Sequence, residues 1–101
     1  MEEKIITKGE TQYILRLFPT MLGLKIQRKL ATIGDGTPEP EVFFEVISAG
    51  CTINRIAVTA KKFDEHFKGK YTELMELFYE ILAYNFGVEE QDPNVESDTA
   101  E

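Results

Sequence analysis

The most constraining feature of the sequence is an apolar helical pattern over residues 71–86, which ends at Gly87. Placed at about 100° per residue, the apolar side chains of this segment span an arc of about 220°. A helix that packs one side against a small domain needs an apolar stripe of only about 100°. The pattern therefore predicts either a central helix that is covered on both sides or a helix with one apolar flank free to bind another chain.

Four side chains on the flanks of this helix are candidates for contact with a partner: Leu77, Tyr79, Tyr84 and Phe86. Exposed aromatic patches often mark protein interfaces, which favours the second interpretation. Burial by other helices and by the N-terminal strands favours the first, because tertiary packing decides such cases. Both interpretations stay open at this stage.

Patterns in the rest of the chain predict an α+β fold that is mainly helical, with an N-terminal β-hairpin followed by about four helices. Two runs rich in β-branched and aromatic residues, 4–8 and 11–18, flank Gly9, which is typical of a hairpin. The short run 51–58 is also β-branched and predicts an extended connector that is able to pair locally.

Helical patterns bounded by glycine or proline define the predicted helices. They are expected over residues 20–33, 39–49, 60–68 and 70–86. Thr59 is a favourable N-cap for the third of these, and Gly69 is placed to follow it as a left-handed C-cap residue.

The first predicted helix has an apolar stripe and a basic face. The apolar stripe is expected to face the core and consists of Leu22, Ile26, Leu30 and Ile33. The basic residues Lys25, Arg28 and Lys29 cluster on the opposite face. Such a face is either solvated surface or a docking site for an acidic partner. One such partner is a second copy of the chain, which would present Glu73, Glu76 and Glu80 and could build a head-to-tail oligomer.

The charge is distributed unevenly along the 101 residues, whose net charge is −7. Residues 1–34 carry six basic and three acidic groups, whereas residues 35–101 carry five basic and fifteen acidic groups. This acidic excess argues against nucleic-acid binding, which needs clustered cations. Residues 88–101 contain six acidic and no basic groups, so we expect a flexible acidic tail after a single small domain at 1–87.

No stretch of the sequence reaches the roughly 20 apolar residues of a membrane-spanning helix, so no membrane association is expected. The first residues lack the basic and apolar regions of a signal peptide, and Cys51 is the only cysteine. A reducing cytoplasm is therefore the expected compartment.

Residues with catalytic or metal-binding potential are few. His66 is the only histidine, and its neighbours Asp64 and Glu65 point in different directions on a helix, so a structural histidine is expected. A thiol–imidazole pair of Cys51 and His66 has neither a constrained spacing nor an accompanying oxyanion motif. We therefore expect no catalytic residue, no metal site and no cofactor.

Four motifs occur in a distinctive order: FPT at 18–20, GLKI at 23–26, FDEHFKGKY at 63–71 and NFG at 85–87. This order resembles that of the tail assembly chaperones of tailed bacteriophages, over residues 12–87. The resemblance implies a non-enzymatic assembly factor in the host bacterial cytoplasm. Such a factor binds and solubilises the tape measure protein and assists recruitment of the tail tube protein. This assembly role is compatible with a homo-oligomer and with the excess apolar surface expected on the last helix.

Two functions of other classes remain as alternatives. The first is a small acidic inhibitor or DNA mimic that occupies a basic cleft of a host protein, with Glu73, Glu76, Glu80 and the acidic tail at phosphate-like spacings. The second is a small enzyme, for which the sequence offers no converging set of residues.

Overall fold

The computed structural model of the protein describes residues 4–33 and 36–87. Its strands are β1 (Lys4–Lys8), β2 (Thr11–Leu15) and β3 (Cys51–Ile53), and its helices are α1 (Thr20–Ala31), α2 (Pro40–Gly50), α3 (Ala60–His66) and α4 (Tyr71–Phe86). The prediction of a mainly helical α+β fold that begins with a hairpin is confirmed. The acidic tail predicted at 88–101 lies outside the described residues.

The strands form one antiparallel sheet in the order β1-β2-β3. In the hairpin Lys8 is paired with Thr11, so the loop has two residues, Gly9 and Glu10. Gly9 has a φ of 61°, which a residue with a Cβ adopts only at a cost. The glycine that suggested a hairpin is therefore required by the backbone of its turn.

The second strand ends at Leu15, although the sequence predicted that it would continue to residue 18. The reason is that β3 begins at Cys51, opposite Leu15, and the residue before it belongs to a helix. Beyond this point the amide of Arg16 donates to the carbonyl of Gly50 at 2.7 Å, and the strand alternation stops. As a result Leu17 is exposed, whereas Tyr13 and Leu15 lie in the core.

The segment after α2 forms the short third strand, so the predicted extended connector does pair with a neighbour. A tight turn follows it, with Asn54 and Arg55 at φ values of 51° and 67°. Positive φ at both central residues is the requirement of a type I′ turn, and asparagine tolerates it best. The side chain of Asn54 also accepts a hydrogen bond from the amide of Gln12 at 2.8 Å, which fastens the turn to β2.

Three helices are slightly shorter or shifted relative to the predictions. The first ends at Ala31 rather than 33, the second covers Pro40–Gly50 rather than 39–49, and the third ends at His66 rather than 68. Thr59 is confirmed as an N-cap, since its hydroxyl accepts from the amide of Lys62 at 3.2 Å. Gly69 has a positive φ of 75° in the turn that follows the third helix.

The core lies between one face of the sheet and the helices α2 and α4. It includes Tyr13 and Leu15 from the sheet, Val46 and Ile47 from α2, and Phe78 and Ile81 from α4. The crossing of the two helices is close at Gly50, where an added Cβ would lie 2.3 Å from Cγ2 of Ile81. This close crossing makes α4 a central element of the fold.

Candidate protein-binding surface

The apolar arc of α4 is largely covered by the rest of the domain. Its inward face consists of the buried residues Leu77, Phe78, Ile81 and Leu82. Leu77 is only 2% exposed, so the prediction that it belongs to a free partner-binding flank is wrong. The helical arc fixes the angle of Leu77 but not the position of the sheet, which packs over that side of α4.

The other three predicted flank residues of α4 differ in exposure. Tyr79 is 59% exposed and contacts Phe78 edge-on, with 5.5 Å between the ring centroids. Tyr84 and Phe86 are half-buried and pack against the core. Phe86 also contacts Phe18, with 5.8 Å between their centroids. Of the four flank residues, therefore, Tyr79 alone projects mainly into solvent.

A larger exposed apolar surface lies on the outward face of α1. Met21 is 71% exposed and Leu24 is 57% exposed, and Leu17, just before the helix, is 60% exposed. Lys25 and Arg28 are exposed on the same helical face, since residues 21, 24, 25 and 28 follow the spacing i, i+3, i+4 and i+7. We call these five residues, Leu17, Met21, Leu24, Lys25 and Arg28, the α1 stripe.

The inward face of α1 agrees with the sequence prediction except at Ile33, which lies beyond the end of the helix at Ala31. Ile26 is buried, and Leu22 and Leu30 are half-buried against the core. Met21 and Leu24 were not identified from the sequence, although a helical wheel places them about 140° and 160° from Ile26. That angle was the available signal, and it was obscured because the neighbouring basic residues marked the face as polar.

The three predicted basic residues of α1 do not all belong to the stripe. Lys29 forms an ion pair with Glu45 of α2, with 3.0 Å between Nζ and Oε1. Lys25 and Arg28 make no ion pair with any residue in 4–33 or 36–87. Two cations beside three exposed apolar side chains fit a partner that is both apolar and acidic, because such a partner matches the stripe in hydrophobicity and in charge.

The predicted acidic face of α4 is partly occupied by contacts within the chain. Glu73 accepts a hydrogen bond from the hydroxyl of Tyr13, and Glu76 accepts one from Nζ of Lys8 at 2.8 Å. Glu80 is the remaining member of the set. These internal contacts leave less free charge for a second copy of the chain or for the mimicry of phosphates.

A polar network connects β2, α3 and α4 behind this face. The buried Tyr13 donates its only hydroxyl proton to Glu73, and its oxygen lies 2.7 Å from Nε2 of His66. His66 therefore donates from Nε2, since the phenol has no second proton to give. Burial, with support from Glu73, raises the pKa of Tyr13 well above its ordinary value. Burial first, and then Lys70, lowers the pKa of His66.

The sole cysteine of the chain is buried and makes a hydrogen bond to the backbone of α2. Cys51 is fully buried, its thiol lies 3.4 Å from the carbonyl oxygen of Ile47, and burial raises its pKa to about 12. A thiol in this state is a poor nucleophile at neutral pH. Within 4–33 and 36–87, no group of three or more histidine, cysteine or acidic side chains is placed to hold a metal ion.

No helix in the described part of the chain combines the length and the apolar character needed to cross a membrane. Comparisons with protein-family models, with curated proteins and with solved structures return no match for this chain. The α1 stripe is thus the candidate site that follows from the geometry of this chain alone.

Proposed function

We propose that the chain is a tail assembly chaperone of a tailed bacteriophage. In this role it binds the tape measure protein in the cytoplasm of the host bacterium and keeps this long helical client in solution. It also assists the recruitment of tail tube subunits. The function is non-enzymatic and uses no cofactor. The motif order over residues 12–87 supports the choice of family, and the α1 stripe supports the mode of binding.

The single observation that carries the proposal is the combination, in the α1 stripe, of exposed apolar side chains and two cations that form no ion pair within residues 4–33 and 36–87. An amphipathic helical client is recognised through apolar side chains at helical spacing, and Met21 and Leu24 offer such a surface. Lys25 and Arg28 add a preference for clients with acidic residues beside the apolar ones. The net charge of −7 favours solubility of the complex.

The length of the stripe bears on stoichiometry. From residue 20 to residue 28 a helix rises about 12 Å, which is short beside a long helical client. Several copies of the chain are therefore expected on one client molecule. Self-association of these copies is part of the proposal, and its test is the mass of the complex by light scattering.

The proposal is tested by co-expression with a fragment of a tape measure protein from a tailed bacteriophage. We expect the fragment to move from the insoluble to the soluble fraction and to elute together with the chain. If the fragment stays insoluble and no complex elutes, the chaperone function is contradicted.

Variants localise the binding surface. The double variant Met21→Asp/Leu24→Asp is expected to lose the complex while it keeps its helical circular dichroism. Ile56→Asp is the matched control, because Ile56 is also exposed but lies in the turn after β3. A complex that survives Met21→Asp/Leu24→Asp but is lost in Tyr79→Asp would place the binding surface on α4 instead.

A further inference from the structure

The end of α4 lies beside the beginning of the α1 stripe. Asn85 accepts a hydrogen bond from the amide of Phe18 at 2.7 Å and donates one to the carbonyl of Arg16 at 3.1 Å. Leu17, the first member of the stripe, lies between these two residues in the chain. The described part of this end of the chain finishes at Gly87, two residues after Asn85. The point at which residues 88–101 are attached to the described domain is therefore close to the start of the stripe.

The composition of residues 88–101 complements the stripe. The segment contains six acidic residues, no basic residue and the apolar side chains Val88, Val95 and Ala100. The stripe contains three exposed apolar side chains and the cations Lys25 and Arg28, which have no ion-pair partner in the described part of the chain. The segment and the stripe therefore carry opposite charges, and both also carry apolar side chains.

The segment is also long enough. Fourteen residues span up to about 46 Å when extended, whereas the stripe covers about 12 Å of helix and three preceding residues. A short tether gives an effective concentration on the order of millimolar. Even a weak affinity of the segment for α1 therefore produces substantial occupancy.

We infer that residues 88–101 dock on the α1 stripe of the same chain when no client is bound, and that a client must displace them. The docking depends only on the geometry and charges above. The competition with a client rests, in addition, on the proposed function. Such an intramolecular cover would limit unspecific association of the exposed apolar side chains, and it would favour clients that compete through several contacts.

A nitroxide label at residue 97 tests the docking in the full-length chain. Ser97→Cys supplies the only accessible thiol, because Cys51 is fully buried. We expect the amide signals of Leu24, Lys25 and Arg28 to lose at least about half of their intensity in the labelled protein. They should recover in about 1 M NaCl, where the Debye length is about 3 Å.

A charge-reversed variant distinguishes docking of the segment on the α1 stripe from the closeness that its attachment at Gly87 alone would produce. Lys25→Glu/Arg28→Glu is expected to restore the α1 signals, whereas the matched control Lys61→Glu/Lys68→Glu on and after α3 should leave the broadening unchanged. Absence of broadening on α1, or broadening that persists in Lys25→Glu/Arg28→Glu, would overturn the docking.

Client binding tests the second half of the inference. The variant Glu89→Gln/Glu90→Gln/Asp92→Asn removes three negative charges from the segment and should weaken its docking. A competitor that occupies half to nine-tenths of the sites lowers the apparent affinity of a client about two- to tenfold. We therefore expect the affinity of the variant for the tape measure fragment to rise by about the same factor. An unchanged affinity would contradict the competition. If the label shows docking but no variant binds the fragment, the proposed chaperone function fails and the docking stands.

Discussion

The helices α1 and α4 are both amphipathic, but the fold treats their apolar residues in opposite ways. The longer apolar arc belongs to α4, and its Leu77 and Ile81 lie in the core. The shorter arc belongs to α1, yet Met21 and Leu24 on its outer face are more than half exposed. The number of apolar residues on a helix is therefore a poor guide to the surface that it leaves uncovered. The exposed apolar surface of a helix depends instead on how many neighbouring elements pack around it.

The largest expected effect is a difference in stability between a variant of α4 and a variant of α1. Leu77→Ala removes a buried side chain beside the sheet and should lower the free energy of unfolding by about 2–5 kcal/mol. Leu24→Ala removes an exposed side chain and should change it by no more than about 0.5 kcal/mol. Urea unfolding of both variants measures the two changes in the free energy of unfolding. Similar losses in the two variants would contradict the contrast between a buried α4 face and an exposed α1 face.

A pair of glycines sharpens the contrast. Gly50→Ala places a methyl group against Ile81 of α4 and should cost about 1–3 kcal/mol. In Gly23→Ala on α1, the added methyl group meets Cβ and Cδ2 of Phe18 at 3.5 and 3.7 Å, which are ordinary contacts. This change should stabilise the protein by up to about 1 kcal/mol through helix propensity. Thermal melts measure both, and destabilisation by Gly23→Ala would show that α1 is packed more tightly than the structure indicates.

The polar network on the inner side of α4 predicts a loss of stability when the hydroxyl of Tyr13 is removed. Tyr13→Phe leaves the carboxylate of Glu73 and the imidazole of His66 without this partner, and should cost about 1–3 kcal/mol. Urea unfolding at neutral pH measures the cost. Tyr71→Phe is the control, since Tyr71 is exposed at the start of the same helix, and an equal cost in both variants would contradict a role for the network.

The same network predicts a pH dependence. The folded-state pKa of His66 is lowered, first by burial and then by Lys70, from an ordinary value of 6.5, so the unfolded chain binds more protons. The contribution of His66 to stability is therefore complete above about pH 6.5 and is lost as the pH falls through the folded-state pKa. Urea unfolding between about pH 7.5 and about pH 5 measures how the free energy of unfolding depends on pH. The decrease that is due to His66 should begin at about pH 6.5. His66→Gln should flatten it, and an unchanged slope in this variant would assign the effect to other groups.

The smallest expected effect concerns the ion pair that joins α1 to α2. Lys29 and Glu45 are both partly exposed, and exposed pairs contribute about 0–1 kcal/mol. Lys29→Ala should therefore change the free energy of unfolding by less than about 1 kcal/mol, with a still smaller effect at high salt. Denaturant unfolding at two salt concentrations measures this, and a larger loss would mean that α1 depends on this contact.

The sequence predicted the type and approximate bounds of most elements because these depend on local patterns. The hairpin follows from β-branched runs around Gly9, and the cap of α3 follows from Thr59. The end of β2 at Leu15 could not be predicted, because it depends on where β3 pairs with it. The pairing partner is set by tertiary packing, which no run of neighbouring residues encodes.

The candidate site was predictable only in part, for a related reason. Lys25 and Arg28 were identified from their clustering on one helical face, and both are exposed. Leu77 was misplaced, because a helical angle gives no information on which side the sheet covers. The contact of Tyr13 with His66 joins residues 53 positions apart and depends on strand register, so no local signal reveals it.

Oxidative footprinting of the protein with and without a tape measure fragment tests the central claim most directly. Met21 and Tyr79 are both exposed in the free chain, and each can be oxidised by hydroxyl radicals. A client bound on the α1 stripe should protect Met21 and leave the oxidation of Tyr79 unchanged. Protection of Tyr79 with no change at Met21 would contradict the claim and return the binding surface to α4.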